Sequence, residues 1–370
     1  MKILFVGECS YLHNTLKRGL EELGHKVLIV SDGNGWHNSP RDIDLRRPER
    51  WGKLGGLWVL WSLLKSLPQL CGNDIVQLSG YTFIPLKARW NRWLFLLLRL
   101  LNRRVVKGCF SDDPQLFLMQ SHGVPTYSDT YWNGREQNVE ANRQRIAEHM
   151  RSQYKYCWHT VSYGADALVA CLYEYYLCYD TKDFHNRLHY IPLPMEIPVE
   201  SIETENKTST KAIKVLVGLQ PHREYLKGAM RIASFVEAVA RRHPGRIEIN
   251  YVEGVPYDEY LRMLNAADVL VDQFYSYTPS MNSLAAMACG TVVIGGGEED
   301  YYDFIGERQL RPIINVSPEL SDSGNEEIIE RAFFTENTLA RMSRESIEFV
   351  RKYHDYRHVA EAYERLYRSL

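Results

Sequence analysis

Between Val252 and Gly290 the chain places side chains whose types suit the recognition of a phosphate. Thr278, Ser280, Asn282 and Ser283 lie in a polar loop that runs into a small-residue helix expected over Leu284 to Cys289, closed by Gly290. Hydroxyls and backbone N–H groups at a helix start favour an anion, because the first-turn amides lack helical partners and the macrodipole is positive there. Glu253-Gly254 and Asp272-Gln273 each end an apolar run that reads as a strand. A carboxylate at such a point contacts a ligand or caps the turn that follows, and the residues alone leave both roles open for Asp272. Arg223 and Lys227 fall at another strand-to-helix turn. Cations at a helix start run against the dipole, so their presence asks for an anion nearby.

The elements that would hold these residues alternate in type. In the first half, strands are expected at Lys2 to Val6, His25 to Val30, Asp74 to Leu78, Arg104 to Lys107, Tyr156 to Val161 and Arg187 to Ile191. Helices are expected at Leu12 to Leu23, in two tryptophan-rich segments between Trp51 and Arg104, and at Ala165 to Tyr176. Pro192, Pro194 and Pro198 then precede E-S-I-E-T-E-N-K-T-S-T-K, a linker composition near mid-chain. The pattern restarts with strands at Ala212 to Gly218, Ile247 to Val252, Val269 to Asp272 and Thr291 to Ile294, interleaved with helices at Gly228 to Arg241 and Tyr257 to Asn265. The tail from Asn337 reads as helical throughout. Strands separated by helices of this length imply βαβ crossovers and parallel sheets. The expected organisation is a first Rossmann-like domain over 1–195, a linker over 196–211, a second over 212–350, and a C-terminal helix over 351–370 that packs back on the first domain. Two such domains are expected to face one another across a cleft.

The chain has 370 residues, 45% of them hydrophobic and 24% charged, which is ordinary for a soluble globular protein. A formal net charge of -2 gives no electrostatic reason to expect a nucleic-acid partner. Seven cysteines without a C-x-x-C pair point to neither a disulfide framework nor a zinc site, and fit reduced thiols in a cytoplasm. The first apolar run is too short for a signal peptide, and no stretch reaches the ~20 apolar residues that span a bilayer. The segments W-G-K-L-G-G-L-W-V-L-W-S-L-L-K-S-L and R-W-N-R-W-L-F-L-L-L-R-L-L-N-R-R are apolar and punctuated by Lys and Arg. They read either as helices flanking a buried sheet or as helices that lie at a membrane interface, making a peripheral position on the inner membrane face an open expectation.

Four stretches in order resemble glycosyltransferases of the GT-B fold, closest to the large retaining family four (group 1). They are M-K-I-L-F-V-G with L-G-H-K-V, then H-Y-I-P-L-P-M-E, then H-R-E-Y-L-K-G, and finally E-G-V-P with A-A-D-V-L-V-D-Q and A-A-M-A-C-G-T-V-V-I. The resemblance implies that Arg223 and Lys227 grip the diphosphate of a nucleotide-sugar donor and stabilise charge on the departing nucleotide. It places Glu253-Gly254 against the base, and the loop of Thr278, Ser280, Asn282 and Ser283 against the phosphates. It also implies that Tyr11 and His13, after the first strand, contact substrate, with His13 a phosphate contact or an acid/base group. Asp112, after the strand ending near Phe110, would orient the acceptor hydroxyl; a helix N-cap is the rival role. No metal is implied, and the donor is a co-substrate rather than a bound cofactor.

The resemblance fails at one point. The family signature carries two glutamates, and counting back from A-A-M-A-C-G puts them at Tyr277 and Ala285. Neither side chain is an acid, so retention of configuration is not assigned. The leading expectation is transfer of a sugar to a glycan or lipid-linked acceptor in surface polysaccharide synthesis. The alternatives are a nucleotide-sugar-binding protein without transfer, and a nucleotide-sugar 2-epimerase of the same architecture.

Overall fold

A computed structural model describes residues 1–33, 38–137, 140–197, 212–219 and 227–370. In chain order the strands are β1 (Lys2–Val6), β2 (Lys26–Ser31), β3 (Ile43–Asp44), β4 (Ile75–Leu78), β5 (Arg104–Cys109), β6 (Tyr131–Trp132), β7 (Arg135–Glu136), β8 (Ala167–Ala170) and β9 (Leu188–Tyr190), followed by β10 (Ile213–Leu219), β11 (Ile247–Glu253), β12 (Val269–Val271), β13 (Val292–Gly295) and β14 (Ile313–Asn315). The helices are α1 (Leu12–Glu22), α2 (Gly55–Lys65), α3 (Leu67–Leu70), α4 (Ala88–Leu101), α5 (Pro114–Ser121), α6 (Glu140–His149), α7 (Ser152–Gly164) and α8 (Tyr173–Tyr179). They continue with α9 (Ala229–Arg242), α10 (Tyr257–Ala266), α11 (Met281–Ala288), α12 (Glu299–Ile305), α13 (Asp322–Phe334), α14 (Thr338–Tyr353) and α15 (Tyr356–Ser369).

Two compact units divide these elements. Unit 1 comprises Met1–Val124, Asn138–Pro194 and Tyr356–Leu370; unit 2 comprises Pro125–Gln137 and Met195–Asp355. Segment 125–137, which the sequence reading left inside the first domain, therefore belongs to unit 2.

Unit 1 is built on a seven-stranded parallel sheet in the order β3-β2-β1-β4-β5-β8-β9. Its central strands carry buried side chains on both faces, as the I-V-Q-L of β4 and A-L-V-A of β8 do, so they read as continuous rather than alternating apolar runs. Leu4, Val6, Val76, Leu78 and Val105 share one sheet face, and α2, α4 and α7 supply Val59, Leu63, Phe95, Leu98 and Val161 to the same core. Helix α15 packs on α1, where Gly19 is obligatory: a Cβ there would lie 2.6 Å from the Cβ of Ala360.

Unit 2 holds a five-stranded parallel sheet in the order β11-β10-β12-β13-β14 and the short antiparallel pair β6-β7. Helices α9 and α13 contribute Ile232, Phe235, Val236, Val239, Ile329 and Phe333 to its core. Strand order reverses once in each sheet, between β1 and β4 in unit 1 and between β10 and β12 in unit 2. Loops at the carboxyl ends of strands flanking such a reversal diverge, leaving room for a ligand.

Three sequence expectations are corrected. Tyr156 to Val161 is not a strand but lies inside α7, because Cys157 and Val161, four apart, form a helical stripe into the core. The strand that follows is β8, inside the segment expected as a helix from Ala165 to Tyr176. The tail is two helices, interrupted at His354-Asp355. All seven cysteines are free thiols. Among the described residues no helix is long and apolar enough to cross a membrane.

Candidate functional site

The strand tips of β10, β11 and β12 gather most of the expected donor-side residues of unit 2. Arg223 lies outside the described residues. Lys227 precedes Gly228, the N-cap of the fourteen-residue α9, at φ 75° and ψ 15°. That left-handed conformation suits glycine, and a Cβ there would meet the Cβ of Phe274 at 2.7 Å. The Phe274 N–H donates to the Lys227 carbonyl at 2.9 Å, which ties this turn to the loop after β12. Gly228 has no side chain with which to cap α9, and the positive end of the α9 dipole suits an anion near this turn.

Across the strand reversal, Asp272 organises the polar loop. Its carboxylate accepts the Ser280 hydroxyl at 2.7 Å, the Ser283 hydroxyl, and the Asn282 amide at 3.4 Å. Asp272 thereby joins the end of β12 to the start of α11 and anchors the loop. Of the four side chains expected to greet a phosphate, those of Ser280, Asn282 and Ser283 are turned toward this carboxylate. Ser280 is the N-cap of α11 by position, yet its hydroxyl makes no cap hydrogen bond, being held by Asp272. Thr278 is buried, and its carbonyl accepts the Ser276 hydroxyl at 2.5 Å. Tyr260, which the sequence reading overlooked, donates to Asn282 Oδ1 at 2.8 Å and packs against Gly218 of β10. Glu253 and Gly254 stand exposed at the tip of β11, with open space beside Gly254.

Tyr277, where the sequence resemblance expects a glutamate, is packed within unit 2. Its ring stacks on Tyr127 with centroids 4.3 Å apart and an interplanar angle of 19°. The Tyr277 hydroxyl oxygen accepts the Tyr127 N–H at 3.2 Å, and the Tyr127 hydroxyl donates to Glu298 Oε1 at 2.6 Å. Burial pushes both phenols above their ordinary pKa, so neither ionises near neutrality. Ala285 is half-buried in α11.

In unit 1 the loop after β1 is held by a residue that no motif flagged. The Glu8 carboxylate accepts the backbone N–H groups of Cys9, His13 and Asn14 at 2.8, 3.0 and 3.1 Å, and the Asn14 side-chain amide at 2.6 Å. Two of those amides belong to the first turn of α1, so this helix start already holds its anion. Ser10 and Tyr11 are left-handed, at φ 50° and 65°, a costly pair of conformations that the Glu8 bonds help to impose. His13 corrects the expectation of a substrate contact. It is buried, stacks on Phe5 at 4.4 Å, and meets the Gly7 carbonyl at 2.7 Å and Gln77 at 3.2 Å through its two ring nitrogens. Burial lowers its pKa.

After β5, Asp113 rather than Asp112 is the helix N-cap: its Oδ1 accepts from the N–H groups of Gln115 and Leu116 at 2.9 and 3.0 Å. Its Oδ2 accepts Lys107 Nζ at 3.0 Å and the Tyr179 hydroxyl, which in turn receives Trp158 Nε1 at 2.9 Å. Lys107 and Asp113 are both fully enclosed. Asp112 is partly exposed and pairs with Arg145 at 3.4 Å. Asp112, Tyr11 and His13 thus sit at strand tips of unit 1, and the remaining described candidates at strand tips of unit 2.

No family model and no curated protein matches the sequence. Solved structures do. Sucrose-phosphate synthase from Thermosynechococcus elongatus aligns with a TM-score of 0.63 and 14% identity over 100% of this chain and 98% of that one. The OtsA apo structure aligns with a TM-score of 0.54 and 13% identity over 99% and 98%. WaaG, a glycosyltransferase involved in lipopolysaccharide biosynthesis, aligns with a TM-score of 0.50 and 12% identity over 98% of each chain. At such identities the likeness is one of backbone, and it agrees with two parallel-sheet units whose strand order each reverses once: the chain has the GT-B fold.

Proposed function

We propose that this chain is a glycosyltransferase that moves a sugar from a nucleoside-diphosphate sugar to a glycan or lipid-linked acceptor in surface polysaccharide synthesis. The observation that carries this reading is the turn at Lys227 and Gly228. A fourteen-residue helix with glycine at its N-cap starts there beside a lysine, at the strand reversal of unit 2. When the bond between the anomeric carbon and the diphosphate oxygen breaks, negative charge grows on the phosphates. A helix dipole and a cation already in place stabilise that charge without reorganising. The comparable helix start of unit 1 is filled by Glu8, which supports placing the donor on unit 2. Arg223 is the second cation of the proposal, Glu253 and Gly254 its contacts to the base, and Asp112 the group that orients the acceptor hydroxyl. Neighbours such as WaaG, named for glycosyl transfer, lend the reading support through fold.

A panel of UDP-, GDP-, ADP- and CMP-linked sugars, read by thermal shift, tests it. One nucleotide class should raise the melting temperature, since a ligand bound only to the native state stabilises it. Lys227→Ala and Arg223→Ala should each remove the shift. A flat response to every donor sinks the proposal. The second reading, donor binding without transfer, is favoured by one observation: position 277 holds a buried tyrosine committed to Tyr127. A thermal shift without donor consumption, across candidate acceptors, would select it.

A further inference from the structure

Helix α2 is G-G-L-W-V-L-W-S-L-L-K, apolar around its whole circumference except for Ser62 and Lys65. A helix of that kind is normally buried on all sides. Here only its inner stripe is: Val59 and Leu63 enter the core of unit 1. The outer stripe stands in solvent, with Leu57, Trp61 and Leu64 59%, 60% and 62% exposed. Trp51, in the turn before α2, extends that stripe by packing edge-on against Trp58. Helix α4 repeats the arrangement. Leu94, Phe95 and Leu98 enter the same core cluster, while Trp93 is 60% and Leu100 80% exposed, alongside Trp90, Leu96 and Leu97. Because both helices cover the same sheet face, their outer stripes look away from the sheet on the same side. Single exposed apolar residues need no explanation, but two helices that share one core cluster and carry largely apolar outer stripes mark a surface that another phase or molecule covers.

The charge around these stripes decides what covers them. Between Arg50 and Arg104 the sequence holds nine Lys and Arg residues and one acid, Asp74, in a chain whose totals are 44 and 46. Lys65, Lys87, Arg89 and Arg103 are exposed. Arg89 lies over the Trp90 ring at 5.6 Å, and Arg92 over Trp93 and Tyr156 at 5.4 and 4.3 Å. Indoles with leucines at their flanks and cations at their rim match the boundary layer of a bilayer. Tryptophan settles at headgroup depth there, aliphatic side chains reach the acyl chains, and each Lys or Arg near an anionic surface contributes about 1 kcal/mol. We propose that the outer surface of α2 and α4 is a membrane-docking face that seats unit 1 on lipid bearing anionic headgroups. The inference rests on unit 1 alone and stands whether or not the donor site of unit 2 is assigned correctly.

Sedimentation of the full chain with phosphatidylcholine vesicles, with and without phosphatidylglycerol, tests the proposal. Binding is expected on the anionic vesicles, weakened about tenfold or more by high salt or by Lys87→Glu with Arg89→Glu. Trp61→Ser with Trp93→Ser should abolish it; both positions are solvent-exposed, so the fold is retained, as an unchanged melting temperature will report. On the unmodified protein, indole emission should shift blue and be quenched by lipids brominated in the upper acyl chain. Three results overturn the proposal: a wild-type chain that stays in the supernatant at low salt, binding that survives the paired tryptophan substitution, or a dimer in solution that the tryptophan substitutions dissolve. The last would assign the surface to a second copy of the chain.

Discussion

Gln77 Nε2 stands 3.2 Å from His13 Nε2, and this contact fixes where the imidazole carries its proton. An amide N–H₂ can only donate, so Nε2 of the histidine accepts and Nδ1 donates to the Gly7 carbonyl at 2.7 Å. The other end of the Gln77 amide accepts the Tyr367 hydroxyl at 2.7 Å. A buried chain of three hydrogen bonds therefore runs from the last helix through β4 to the loop after β1, all inside unit 1. It requires a neutral histidine.

Acid should weaken this chain in a defined window. Burial holds the folded His13 pKa below the ordinary 6.5. Above about pH 6.5 both folded and unfolded forms are neutral, and the contribution of His13 is fully present. As pH falls from there toward the folded pKa, the unfolded chain binds a proton that the folded one does not, and stability drops by up to about 1.4 kcal/mol per pH unit. Urea midpoints measured from neutral to mildly acidic pH should fall more steeply for the wild type than for His13→Gln. Parallel curves would remove His13 from the account.

The enclosed pair Lys107 and Asp113 should show strong coupling. Lys107→Met leaves a buried carboxylate with fewer donors and is expected to cost about 3–5 kcal/mol. Lys107→Met with Asp113→Asn removes both charges and should cost clearly less than the sum of the two single changes. Chemical denaturation of the four proteins closes the cycle, and strict additivity would mean that the charges do not interact.

Glu8→Gln keeps the shape of the side chain while removing its charge and one accepting oxygen. Three backbone amides and Asn14 depend on that carboxylate, so a loss of about 1–3 kcal/mol is expected. Hydrogen exchange should show faster opening at His13 and Asn14 than at the far end of α1. Uniform exchange along the helix would contradict a local anchoring role.

Placing at position 277 the acid that the resemblance expects should harm rather than help. Tyr277→Glu puts a carboxylate into the stack on Tyr127 and removes the acceptor for the Tyr127 N–H. The expected cost is at least about 3 kcal/mol, with no gain in donor turnover. A variant as stable as wild type that also turns over donor faster would show that position 277 faces substrate after all.

Legibility tracked distance along the chain. Apolar runs flanked by amphipathic helices identified both parallel sheets and most of their strands, because strand and helix periods are local. Tyr156 to Val161 was misread because a short apolar run does not separate the two periods; its true partner surface, the core shared with α2 and α4, is remote in sequence. The candidate residues were legible as a set of strand tips, and the structure places Lys227 beside the start of α9 and Asp272 after β12. What the loop does was not legible. The hydroxyls of Ser280 and Ser283 point to Asp272, and that commitment depends on a fold-level approach between the end of β12 and the start of α11. Glu8 was accessible in principle, as an acid placed just before a helix start. Lys107, Asp113 and Tyr179 were not, since nothing in their spacing announces that three polar groups meet in a core.

The division of the chain has a consequence for its synthesis. Unit 1 includes Tyr356–Leu370, beyond the whole of Met195–Asp355, and unit 2 reaches back for Pro125–Gln137. Helix α15 closes over α1 at Gly19 and Ala360, and its Tyr367 completes the chain through Gln77 to His13. During translation the seven strands of unit 1 are available once Tyr190 has emerged, yet α15, which packs on α1, is made only after all of Met195–Asp355. The nascent first half must keep the apolar stripe of α1 from other chains throughout the synthesis of unit 2. Severing the gene at the proline-rich linker would yield a first half permanently short of its final helix, however well its sheet is formed.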